Sequence, residues 1–220
     1  MMPRDFSVGI VDFFAALLPG AIATWLALQY VDPADLRHWS IAIAVSNELV
    51  HGAALFLSSY ILGHFVFLVG AALDPLYDQW RARAHPRGSD PTYQAADTLR
   101  RDLSWQLGPT EAKGALTTLK WARTYVLIHA PEARVEIDGF EANSKFFRSL
   151  VIIFGALTMH FLLREQQLGL AVASAILGSL SFWRFRDQRW KYSELTFATA
   201  VIARTRSDQA KPEVRSAELL

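Results

Sequence analysis

Apolar residues gather in four long stretches, roughly Val8 to Val31, Leu49 to Leu73, Phe146 to Leu163 and Leu168 to Phe185, set as two pairs around a polar middle. At about 1.5 Å of rise per residue, each is close to the length a helix needs to cross a hydrocarbon layer about 30 Å thick. Lipid offers backbone amides no partner, so segments that span it are helices. The pattern predicts an all-α, polytopic membrane protein with four transmembrane helices in two hairpins and a cytoplasmic helical insert. Residues 1–73 form the first hairpin (spans about 8–31 and 49–73) and residues 74–145 the cytoplasmic helical domain. Residues 146–185 form the second hairpin (spans about 146–163 and 168–185), and residues 186–220 a cytoplasmic amphipathic helix followed by a disordered tail.

Within the polar middle the periodicity is helical. Leu76 to Ala84 continues as a charged helix, and His85-Pro86-Arg87-Gly88-Ser89 makes a turn. Asp90-Pro91 opens a second helix with Leu99, Leu103 and Leu107 on one face, closed by Gly108-Pro109. A third, from about Thr110 to Ala130, carries Leu119, Ala122 and Val126 on one side and Trp121, Tyr125 and Ile128 on another, which predicts that it is sandwiched. Pro131 ends it. A last helix starts near Ala133 and runs directly into the third span. A bundle this small has a marginal core alone, so it is expected to lean on the tail or on another subunit. The tail continues a helical stripe of Trp190, Phe197 and Val201 to about Ala203, and Arg204 to Leu220 is expected to be disordered.

Composition adds that neither part is a minor appendage. Apolar residues make up 52% of 220, charged residues 20%, and the mean hydropathy is +0.17. With no cysteine, disulfides, thiolate nucleophiles and cysteine metal sites are excluded. The net charge of +1 hides an uneven distribution: 20 Lys and Arg fall in the N-terminus, the middle and the tail, against Arg37 and Arg164 in the two short connectors. The positive-inside rule then places both termini and the middle in the cytoplasm. Arg greatly outnumbers Lys, as in GC-rich bacterial genomes, and the setting expected is a bacterial inner membrane. The first stretch is too long, and Arg4-Asp5 too weak a leader, for a cleaved signal peptide, so an uncleaved span is expected.

Candidate working residues are few. Pro19-Gly20 in the first span should interrupt the hydrogen-bond ladder, as a hinge or as a packing notch. Ser59 and Gly63 have small-xxx-small spacing, as do Ala171, Ala175 and Ser179, and also Ser174 and Gly178. Such stripes let helices approach closely in lipid. Asp12 sits near the cytoplasmic end of the first span, where Arg4 or Arg148 can meet it, and His64 and His160 lie deeper, suited to hydrogen bonds between helices. Glu48 and His51 have a di-iron-type spacing without its second copy, so no metal and no cofactor is expected. Phe182 to Tyr192 interleaves aromatic and basic residues as an interfacial anchor. Arg123 and His129 form an Arg-x5-His within a helix, compatible with the Arg-x4-6-His pattern of HEPN ribonucleases.

Two short segments carry a family likeness. Asp12-Phe13-Phe14-Ala15-Ala16-Leu17-Leu18-Pro19-Gly20 resembles the Asp-x-x-Ala-x-Leu-x-Pro-Gly start of small uncharacterised bacterial multi-span inner-membrane proteins. Ser144-Lys145-Phe146-Phe147-Arg148-Ser149-Leu150 is similar to the lead-in to their second hairpin. Some proteins of that architecture accompany phage-defence operons, including RNA-targeting CRISPR systems, so the resemblance implies an inner-membrane setting with a defence association. The sequence thus points to a non-enzymatic oligomeric membrane effector, pore or scaffold, regulated through its cytoplasmic helices. Its expected partners are the lipid bilayer, further copies of the chain and a cytoplasmic protein, with nucleic acid disfavoured. A second reading is a membrane-tethered ribonuclease using Arg123 and His129. A third, a small-solute carrier, is disfavoured by the scarcity of polar residues in the spans.

Overall fold

The computed structural model describes residues 4–31, 48–84, 86–107 and 117–209, which are helical with short connections and contain no strand. Among the described residues seven α-helices follow in chain order: α1 Arg4–Leu28, α2 Glu48–Gly70, α3 Asp74–Ala84, α4 Pro91–Leu107, α5 Thr118–His129, α6 Arg134–Leu163 and α7 Leu168–Gln209. Three helical segments among the described residues, Leu49–Ala84, Pro131–Leu163 and Leu168–Ser207, are long and apolar enough to cross a membrane, so the chain has the character of a helical membrane protein. Ala16–Leu28 is a shorter apolar helix within α1.

The helix boundaries have local causes. Asp90 accepts the backbone N–H groups of Thr92 and Tyr93 at 3.1 and 3.0 Å on one oxygen, capping the start of α4. Pro131 follows α5 in a single 3-10 turn, Pro131–Ala133, that leads into α6. Between α6 and α7 the turn is closed by Gln167 N–H on the Phe161 carbonyl at 2.9 Å, with Gln166 left-handed at φ 51°. The tail differs from expectation: α7 continues through Arg204 to Gln209, held in part by Thr205 bonding the Val201 carbonyl. The segments 32–47 and 108–116 and the last residues, 210–220, lie outside the described residues, so the expected start of α5 near Thr110 and the disorder of the extreme tail do too.

The chain divides into two compact units, 1–76 with 142–187 and 77–141 with 188–220. In the first, α1 and α2 pack backbone to backbone. A Cβ on Gly20 would lie 1.7 Å from the Ser59 carbonyl oxygen, and one on Gly63 2.0 Å from that of Ala16. The wide faces of Leu57, Phe65, Leu68 and Leu180 remain exposed, as lipid-facing surfaces are. In the second unit, Ala96, Ala122 and Ala200 are fully buried and let their helices close on Val126, Ile137 and Phe197. The end of α7 thus completes this core with Tyr192, Phe197 and Ala200. Helix α5 buries Ala122, Tyr125 and Val126 and half-buries Leu119 and Trp121, whereas Ile128, expected on its second face, is exposed.

Candidate functional site

Pro19 lies inside α1 and is fully buried, and the helix runs through it. A proline removes one ladder donor and demands room for its ring. Here the room adjoins a glycine that brings α2 close, so Pro19-Gly20 forms a packing notch against Ser59 and Gly63. Ser59 donates to Thr24 at 3.3 Å, and Thr24 to the Gly20 carbonyl at 2.9 Å, which ties the notch together with side chains. In the first-unit part of α7, up to Asp187, the buried small residues include Ala171, Ser174 and Ser181, with Gly178 facing Phe154 at 3.3 Å from its would-be Cβ. Ala175 and Ser179 are exposed. The contact stripe therefore alternates steps of three and four, as the 3.6-residue period requires, keeping the Ser174 and Gly178 pair but leaving the Ala171, Ala175 and Ser179 series after its first member.

Arg148 is a buried, multiply engaged cation of the first unit. Its side chain is only 6% exposed, and Nη1 donates to both carboxylate oxygens of Asp74 at 3.1 and 2.9 Å. The guanidinium stacks 4.7 Å over the Phe67 ring and passes beside Gly70, where a Cβ would meet its Cγ at 3.3 Å. Charge pairing, cation-π attraction and the missing glycine side chain together fix it. Asp74 is a partner of Arg148, and the side chain of Asp12, expected near Arg148, lies outside the described residues. His160 is buried and shares a 3.1 Å hydrogen bond through Nδ1 with the Tyr30 hydroxyl, while Nε2 is 4.0 Å from Glu165. Trp25 and Phe161 close on its ring edge-to-face. His64 is exposed and stands edge-on to Tyr60 one turn earlier, ring centroids 4.7 Å apart. His51 is exposed, and Glu48 lies outside the described side chains.

In the second unit Arg123 pairs with Glu141 at 2.7 Å and Asp138 at 3.4 Å. Burial disfavours its charge, but Tyr192 and the two carboxylates outweigh this and raise its pKa above the ordinary arginine value. His129 stacks on Tyr125 at 4.0 Å and bonds the Tyr125 carbonyl through Nδ1. The two residues thus face separate partners, carboxylates for one and a helix-internal ring and carbonyl for the other.

Sequence reasoning missed the constellation around Asp97. Its carboxylate receives the Thr118 hydroxyl at 2.8 Å, Arg100 at 2.9 and 3.1 Å and Arg101 at 2.8 Å, joining α4 to the start of α5. Burial alone would push its pKa up. The hydroxyl and the two guanidiniums outweigh that, holding it below the ordinary carboxylate value. Asp97, Arg100 and Arg101 border a cavity of about 490 Å³ that Arg81, Arg189 and Tyr93 also line. The signal available was the Asp-x-x-Arg-Arg spacing, which places both guanidiniums within one turn of the acid.

Comparisons with family models, with curated proteins and with solved structures give no match to this chain.

Proposed function

We propose that this chain is a non-enzymatic effector of the bacterial inner membrane that works as an oligomer and is controlled through its cytoplasmic helical unit. The observation that carries the reading is where the chain passes between its two units. All three passages, at 76/77, 141/142 and 187/188, fall inside helices α3, α6 and α7 rather than in loops. Hydrogen-bonded helices are the kind of element that carries a change in one unit into another. In this reading α1 is a fourth span, since 25 residues reach about 37 Å at 1.5 Å each. Both termini and the segment after the second span are cytoplasmic, as the charge distribution supports. Small residues left exposed on α7, Ala175 and Ser179, offer a second copy a close approach.

Reporter fusions at Ser89 and at the C-terminus test the topology: both should read cytoplasmic, and a periplasmic reading at either overturns it. Mass measurement in detergent and dye release from loaded vesicles test the effector role. An oligomer that releases dye supports it, and a monomer that leaves the vesicles sealed refutes it.

A further inference from the structure

The cavity of the second unit has the chemistry of a ligand site. Its volume of about 490 Å³ lies within the range of about 300–1,000 Å³ usual for small-molecule pockets. Four guanidiniums line it, those of Arg81, Arg100, Arg101 and Arg189, against two carboxylates, Asp78 and Asp97. Asp97 holds Arg100 and Arg101 with one oxygen each. The other two arginines are placed by aromatic faces: Arg81 lies 5.2 Å over the Trp190 ring and Arg189 5.1 Å over the Tyr77 ring. Arg81 reaches the Asp90 carboxylate only at 3.7 Å, although its side chain is 13% exposed. Its Nε is buried and takes no hydrogen bond among the described residues. A buried donor left unspent in a wall with surplus positive charge fits an anionic acceptor.

Even with Asp90 counted beside Arg81, the four guanidiniums outnumber the carboxylates around the cavity, which suits a phosphate monoester carrying about −1.5 to −2 near neutral pH. Phosphate alone would fill little of the space. The rest of the wall includes Tyr93 and Phe197, packed edge-to-face at 5.5 Å, a surface on which a planar base can rest. We propose that this cavity binds a small phosphorylated ligand of the nucleoside monophosphate class, with Arg81 and Arg189 holding the phosphate and Tyr93 the base. The site belongs to the 77–141 and 188–220 unit alone, so binding stands or falls independently of any assembly by the apolar helices.

Isothermal titration of the full-length protein in detergent micelles tests it. The probes are AMP, GMP, CMP and UMP, with adenosine, inorganic phosphate and glycerol 3-phosphate, the last standing for a lipid headgroup. At least one nucleotide should bind at one site per chain, tenfold or more tighter than the three simpler probes. Arg81→Gln and Arg189→Gln should each weaken it at least tenfold, while Arg134→Gln, at the exposed Arg134–Asp138 pair, should not change it. Should Arg81→Gln fail to fold, as judged by circular dichroism and elution volume, Arg189→Gln carries the comparison. Glycerol 3-phosphate binding as tightly as the nucleotides would replace the nucleoside with a lipid headgroup and overturn the assignment. Absence of nucleotide binding, or binding indifferent to a folded arginine variant, would overturn it as well.

Discussion

Replacing Gly63 by alanine should separate α1 from α2. The added methyl would stand 2.0 Å from the Ala16 carbonyl oxygen and 2.7 Å from its carbon. A relaxed carbon-to-oxygen contact is about 3.3 Å, so the helices must part by roughly 1.3 Å. Every atom struck belongs to backbone, and no rotamer change relieves the overlap. A gap of that size forfeits much of the dispersion energy along the contact, and also stretches the Ser59 to Thr24 bond. Overpacking of this kind costs about 2–3 kcal/mol. For a chain of this length that corresponds to a fall in melting temperature of roughly 5–10 °C. Gly155→Ala is the matched control, because a methyl there meets nothing within 4 Å. Alanine is the better helix former by up to about 1 kcal/mol, so this variant should melt with the parent or slightly above it. Thermal unfolding in detergent, followed by far-UV circular dichroism, compares the two. If Gly63→Ala melts together with Gly155→Ala, the close approach of α1 and α2 is wrong.

Three further outcomes are expected. Arg148→Ala should cost about 3 kcal/mol by stranding the Asp74 carboxylate, and adding Asp74→Ala should recover part of the loss in a double-mutant cycle on melting temperature; simple additivity would deny the pair. Because the pKa of Asp97 is depressed by folding, its contribution is complete above the ordinary carboxylate value and is lost as pH falls through the lower, folded one. Melts taken from pH 6 to pH 3 should show this acid limb, and Asp97→Asn should flatten it; an unchanged limb in the variant would place the titration elsewhere. Tyr30→Phe removes the hydroxyl bonded to His160 and should cost about 1 kcal/mol, read in the same melting assay, and a loss too small to measure would show that the bond adds no stability.

What the sequence revealed followed the range of the interactions. Apolar length and helical period depend on local residues, so the helices, the Asp90 cap and the merging of the last cytoplasmic helix into the third apolar stretch were legible. The Ser59 and Gly63 spacing also announced a close contact, since only small side chains permit one. Pairings across the chain were not legible. Arg148 finds Asp74 across 74 residues, a separation over which any acid satisfies a sequence argument equally. In α7 the Ser174 and Gly178 pair lies on the stripe, but Ala175 and Ser179 do not, because strict four-residue steps drift around a helix, whereas 171, 174, 178 and 181 stay on one side. The Asp97 cavity was invisible for a similar reason: Arg189 and Phe197 arrive from a distant helix, and an Arg-rich composition conceals which arginines converge.

The late position of Tyr192, Phe197 and Ala200 also sets an order of events during synthesis. These side chains complete the core begun by Ala96, Val126 and Ile137, yet the ribosome reaches Tyr192 only 55 residues after Ile137. At about 5–20 residues per second, the unfinished core waits roughly 3–11 s. During that wait the apolar halves of α6 and α7 emerge. The nascent chain must therefore settle its most greasy segments before its polar unit can close, and the open core is the stage at which a chaperone or a protease would find it.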